Sequence, residues 1–159
     1  MSKVKLFLDS SALFAGIASP KGAARVLLLL GETGRVILIV SEQVIAETER
    51  ATARKIPGVL REVRLAILKS RVMIRLDPPA EAIWEHKDWI SHMADVPILV
   101  AAVQAEVDYL VTLNRKHFID DPQVAKRTGL RIGTPGDALA WVRDRLGEGW
   151  NEVIGGEVV

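Results

Sequence analysis

Val4-Lys5-Leu6-Phe7-Leu8-Asp9-Ser10-Ser11-Ala12-Leu13 decides how this chain is read. A mostly apolar run ends at an acid, and two small polar residues then lead into a second apolar stretch. An apolar run of this length, bounded in this way, reads as a buried strand. Asp9, Ser10 and Ser11 are each candidate N-caps for a helix that begins directly after it. Alternation along the strand sets Val4, Leu6 and Leu8 on one side and Lys5, Phe7 and Asp9 on the other. An acid at the carboxyl end of a central strand lies where open parallel sheets keep their ligand crevices.

The same strand-then-helix rhythm continues outward from this point. Residues 36–40 read as a second strand, rich in β-branched side chains, and 109–112 as a third. Shorter strand candidates fall at 72–74 and 130–132. Between them the composition predicts helices over 23–32, 42–55, 59–70, 80–92 and 94–106, with Leu60, Val63, Ile67 and Leu68 as the core face of the third. Thr134-Pro135-Gly136-Asp137 is a well-marked helix start, and Leu139, Trp141, Val142 and Leu146 form one face of the helix that follows. Strands alternating with helices predict a single-domain, three-layer α/β/α fold with a central parallel sheet. One domain is expected over 1–159, with its core at about 3–145 and a glycine-rich tail at 147–159.

Composition narrows the class. Of 159 residues, 49% are hydrophobic and 26% charged, which is globular and not disordered. A net charge of +1 excludes a histone-like or acidic solvating protein, but not a nucleic-acid binder whose cations cluster locally. The absence of cysteine removes disulfides, thiolate nucleophiles, iron–sulfur clusters and cysteine-type zinc sites, and suits a reducing compartment. The apolar runs at 26–30, 36–40 and 98–103 fall far short of the ~18 residues a membrane span needs. The start of the chain has no secretory pattern, so the expected location is the cytoplasm, without a membrane.

Three of the twenty carboxylates are placed unlike the rest. Asp9 ends the first strand. Glu47 lies on or near the inward face of the helix after the second, where an unpaired carboxylate is costly and a salt bridge to Arg50 or Arg54 is the structural alternative. Asp95 stands at the head of the most apolar helix, where Asp is also a favoured N-cap and Pro97 fits a first turn. Three carboxylates around one crevice, without cysteine or paired histidine, form a hard oxygen site suited to Mg²⁺ or Mn²⁺. Such a cluster activates water and neutralises a phosphate oxygen. Thr112 and Asn114, at and just after the end of the third strand, reach the same crevice, followed by the basic group Arg115-Lys116-His117.

Other phosphoryl chemistries fit less well. Asp9-Ser10-Ser11 lacks the second aspartate of the aspartate-nucleophile phosphatases, and no P-loop motif occurs. His86 and His92 are six apart, off any i,i+4 zinc pair, and read as ordinary helix-surface or capping residues. The four tryptophans read as core or interface anchors.

In this order and spacing the residues resemble the PIN domain family. Leu8-Asp9-Ser10-Ser11-Ala12-Leu13 is similar to the family's opening strand and first acid. Ser41-Glu42-Gln43-Val44-Ile45-Ala46-Glu47 resembles its second acidic motif, and Asp95-Val96-Pro97-Ile98-Leu99-Val100-Ala101-Ala102 its third. The fourth is matched by the segment from Asp108 to Phe118, which includes Thr112-Leu113-Asn114-Arg115-Lys116-His117. Ser19-Pro20-Lys21-Gly22-Ala23-Ala24 is similar to a branch of bacterial and archaeal members. There is one departure: the fourth motif carries Asn114 and His117 where an acid commonly stands.

The resemblance implies a Mg²⁺- or Mn²⁺-dependent endoribonuclease that leaves a 5′-phosphate. Asp9, Glu47 and Asp95 would hold the metal, and Asn114 would complete the catalytic set. Ser10, Thr112, Arg115 and Lys116 would contact RNA, with Lys21 or Arg25 adding grip. Asp108, Asp120 and Asp121 are candidates to replace the missing acid, Asp108 the weakest because it precedes its strand. The alternatives are a PIN-like RNA-binding or scaffold module that no longer cuts, and a toxin held by a small antitoxin protein. A homodimer is also expected by resemblance.

Overall fold

The computed structural model describes residues 2–150. Its centre is a five-stranded, wholly parallel sheet in the order β3-β2-β1-β4-β5. The strands are β1 (Lys5–Leu8), β2 (Ile37–Ser41), β3 (Met73–Arg75), β4 (Tyr109–Val111) and β5 (Ile132–Gly133). Leu6, Phe7 and Leu8 project alternately to opposite sides of β1 and are all buried, so both faces of the sheet are covered. The helices that cover it are α1 (Ser10–Ala18), α2 (Ala23–Glu32), α3 (Glu42–Lys55), α4 (Leu60–Lys69), α5 (Ala80–Glu85), α6 (Val96–Gln104), α7 (Pro122–Thr128) and α8 (Pro135–Leu146). This is the three-layer α/β/α arrangement expected from the sequence.

The chain first winds from β1 to β2 and β3, then returns across β1 to add β4 and β5 on its other side. Strand order therefore reverses at β1. In a parallel sheet the carboxyl ends of the strands flanking that reversal part to leave a crevice. Asp9 follows β1 at this point, Ser41 ends β2, and Thr112 follows β4. The ladder holds them in register: Asp9 N donates to Val111 O (3.1 Å), and Thr112 N to Gly133 O (3.0 Å).

Close packing around the sheet depends on a glycine. A Cβ on Gly31 would come within 2.3 Å of Leu38 Cδ1 and 2.9 Å of the Ser70 carbonyl. The end of α2 can thus lie against β2 and the end of α4 only without a side chain there. At α8 the capping box forms as the sequence predicts: Thr134 Oγ1 accepts from Asp137 N, and Asp137 Oδ2 accepts from Thr134 N.

Two expectations are corrected. The predicted helix at 80–92 ends at Glu85, and tight turns follow. Glu85-His86-Lys87-Asp88 is polar throughout and gives a continuing helix no face to bury. Leu68, assigned to the core face of α4, is 74% exposed, because α4 packs chiefly on α3 and the edge of α1 and buries the narrower stripe of Val63 and Ile67. β3 is an edge strand exposed throughout, so its Met73 and Ile74 join Leu65, Leu68 and Leu76 as exposed apolar side chains. Of the expected tail, residues 151–159 lie outside the described residues.

Candidate metal and nucleic-acid site

Asp9 carries two jobs on one carboxylate. Oδ1 accepts from Ala12 N (2.9 Å) and Ser11 Oγ (2.6 Å), which caps α1. Oδ2 accepts from Thr112 Oγ1 at the end of β4. The sequence offered Ser10 and Ser11 as alternative caps; Asp9 is the cap, and Ser11 instead steadies it while accepting from Leu113 N (3.0 Å). Asp9 is only 6% exposed, and burial pushes its carboxyl up from the usual range against the pull of its three hydrogen bonds. The charge on Asp95 pushes in the same direction.

Glu47 lies in α3, one turn beyond Gln43, whose amide donates to Glu47 Oε1 (3.2 Å) and to the Ala94 carbonyl (3.1 Å). Among the described residues Glu47 forms no ion pair with Arg50 or Arg54. Burial raises its carboxyl, Gln43 and Arg50 oppose that, and the charges on Asp9 and Asp95 add to the rise. Two of the three predicted acids are thus destabilised as anions by burial and by the acids around them, which is how like charges gathered at one crevice behave.

Asp95 does not cap α6 with its side chain, although its backbone stands at the cap position. The carboxylate turns away, with Oδ2 2.7 Å from His117 Nδ1 and 3.6 Å from His92 Nδ1. Asn114 supports this contact from below. Its Oδ1 accepts from His117 N (3.2 Å) and so caps a single wide helical turn over Arg115–Ile119. Its backbone N donates to Thr112 Oγ1 (2.9 Å). A continuous set of contacts therefore runs from Asp9 through Thr112, Asn114 and His117 to Asp95. Asn114, expected to complete the catalytic set, has its side-chain carbonyl bonded to the backbone of His117.

Two of the three acids that could have replaced the missing one do other work. Asp121 caps α7 through Gln123 N (3.0 Å), and Asp108 binds Lys5 N (2.8 Å) at the opposite end of the sheet.

Two grooves meet at the crevice, sharing Ala15 and Leu113 as their common wall. The larger, of 610 Å³, runs from Ser10 and Glu47 along α3 to Arg50, Arg54 and Lys55. The smaller, of 350 Å³, holds Lys21 and Arg115 beside the start of α8. Of the cations predicted from sequence, Lys21 and Arg115 line a groove, while Lys116 is exposed and Arg25 lines neither. The arginines of α3 had been weighed only as salt-bridge partners. Their spacing of three and seven residues after Glu47 was the available signal, since it places them on its side of the helix.

Carboxylates gathered at the switch point of a parallel α/β/α sheet, with cations lining the grooves that lead away, define the class of metal-dependent nuclease-type folds. A family model described as PIN domain matches residues 5–116, and the chain belongs to that family. The crystal structure of PAE2754 from Pyrobaculum aerophilum is similar in fold, with a TM-score of 0.62 and 17% identity over 89% of this chain and 96% of that one. No curated protein sequence matches. No single helix among the described residues is long and apolar enough to cross a membrane.

Proposed function

We propose that this protein is a divalent-metal-dependent endoribonuclease of the cytoplasm. The observation that carries the reading is the site's electrostatics: Asp9 and Glu47 are each disfavoured as anions by burial, the charge on Asp95 adds to both, and Asp95 forgoes its helix cap to face the same crevice. Oxygen donors that repel one another are a fit for a hard cation, which relieves the penalty on all of them. Asp9, Glu47 and Asp95 would hold Mg²⁺ or Mn²⁺, which when bound would supply positive charge for the phosphate and a more acidic water as nucleophile. Thr112 holds Asp9 in place, and Ser10 meets the substrate at the mouth of the larger groove. Arg50, Arg54 and Lys55 on one side, and Lys21 with Arg115 on the other, bind the phosphates flanking the scissile bond. Lys116 adds charge without a fixed contact.

The test is cleavage of labelled single-stranded, hairpin and duplex RNAs in Mn²⁺, Mg²⁺ or EDTA, with Asp95→Asn alongside. Metal-dependent cutting by the wild type and none by the variant is expected. RNA binding without turnover on any substrate would replace this reading with the non-cutting module.

The exposed apolar side chains of α4 and β3 support a protein partner. We assign this face to a second copy of the chain, and a small antitoxin protein, if the nuclease is a toxin, to the acidic crevice. Leu68→Glu with Leu76→Glu should convert a dimer to a monomer in sedimentation; a wild-type monomer would remove the dimer.

A further inference from the structure

We infer that His92, Asp95 and His117 form a second metal site, of mixed nitrogen and oxygen donors, that takes a borderline first-row ion of the Zn²⁺ or Co²⁺ kind. One ring nitrogen of His92, one of His117 and a carboxylate oxygen of Asp95 lie within 4.8 Å of one another. The two imidazoles are stacked, with centroids 4.4 Å apart and planes inclined by 21°. Both present the same ring nitrogen to the same oxygen, Asp95 Oδ2.

The backbone fixes this arrangement. His92 and Asp95 are joined by a tight turn, with Asp95 N donating to His92 O (3.0 Å). His117 is held by the Asn114 cap and by the wide turn that Asp120 N closes on Arg115 O (2.8 Å). The side chains of Asp95 and His117 are 17% and 30% exposed and that of His92 is 56% exposed, so an ion can enter from solvent and retain open positions.

The hydrogen bonding around His117 points the same way. Nδ1 has two close neighbours, the Asn114 amide Nδ2 at 3.0 Å and Asp95 Oδ2 at 2.7 Å. The amide nitrogen only donates, and its orientation is set because Oδ1 accepts from the His117 backbone. The carboxylate oxygen only accepts. Nδ1 is thus held between a donor and an acceptor and cannot suit both. A cation bound between Nδ1 and the carboxylate oxygen would be shared by two lone-pair donors. Imidazole pairs with one carboxylate favour Zn²⁺, Co²⁺ and similar ions over Mg²⁺.

This inference deepens the nuclease reading, on which it rests only through the shared Asp95. It supplies a positive charge beside the acidic cluster where the fourth acid is missing. The test can be decisive because the chain has three histidines and no cysteine. Untagged protein is titrated with Co²⁺ alone, followed by ligand-field absorption and by calorimetry. Stoichiometric binding is expected, weakened at least ~10-fold by His92→Ala or His117→Ala and unchanged by His86→Ala. His92 is exposed, so its variant keeps the fold. Glu47→Gln should keep the imidazole-dependent spectrum. Absent binding, or binding indifferent to both histidine variants, overturns the site. Failure to cut RNA with Mg²⁺ overturns the nuclease reading and leaves this result standing.

Discussion

Two aspartates close the same pair of strands from opposite ends. At the amino end Asp108, just before β4, accepts from the backbone of Lys5 on β1. At the carboxyl end Asp9, just after β1, accepts from Thr112 beyond β4. Each is a side-chain clasp across one strand pair, yet the surroundings differ. Asp108 lies in solvent and binds a single backbone donor. Asp9 is buried, partnered three times, and still held above the usual carboxylate range. A carboxylate that only closes a ladder needs no burial. One that the fold buries beside Asp95 and Glu47 costs stability, and that expense supports the proposed cation site.

The sharpest break in this comparison is Asp9→Asn against Asp108→Ala. Asn keeps the α1 cap while removing the charge. RNA cleavage should fall more than ~100-fold, beyond what loss of an outer support costs a metal site, with the circular dichroism spectrum unchanged. Asp108→Ala should cleave at the wild-type rate. Equal activity in both variants would end the distinction.

Thr112→Val sharpens the same contrast from the partner's side. It removes the donor to Asp9 and the acceptor of the Asn114 backbone in one step. Cleavage should drop ~10–100-fold, as for a group that orients a metal ligand, while the melting temperature falls modestly. Activity at the wild-type level would make Thr112 a purely local strand-end contact.

Stability against pH separates the two kinds of acid further. Burial raises Asp9 and Glu47, so the folded chain holds their protons more tightly than the unfolded chain does. Their contribution is full below the ordinary carboxylate range and is lost as pH rises through the raised values. Asp137 behaves oppositely. Its hydrogen bonds from Thr134 hold it below the usual range, so its contribution is present above that range and lost on acidification. Denaturant melts of metal-free protein should show Glu47→Gln flattening the loss toward neutral pH and Asp137→Asn flattening the loss toward acid. The smallest effect belongs to Asp108→Ala, whose single exposed bond should cost about 1 kcal/mol in the same melts.

The sequence carried much of this. Apolar runs with β-branched residues located β1, β2 and β4, and Thr134-Pro135-Gly136-Asp137 announced α8 because local cap chemistry needs no tertiary partner. Asp9 and Asp95 were legible from their positions at element ends, and Glu47 from its place on the inward face of its helix. The histidine cluster was not, because His92 meets His117 only after β4 and the wide turn carry His117 to the head of α6. A search for i,i+4 pairs along one helix cannot register donors that converge from two segments. The division of labour between Ser10 and Ser11 was hidden for a similar reason, since both fit the cap and only the fold decides which side chain faces Asp9. The exposure of Leu68 and of β3 reflects how little packs against that edge, which amphipathic spacing alone does not reveal.

The double duty of Asp9 also has a genetic consequence. Because Asn caps a helix as well as Asp does, the fold tolerates at position 9 the replacement that strips the crevice of its charge. Asp and Asn codons differ in their first base alone. A lineage under pressure to silence this chain therefore has a folded, non-cutting descendant one nucleotide away, and a saturation library at position 9 should separate abundance from activity more cleanly than one at any purely structural aspartate.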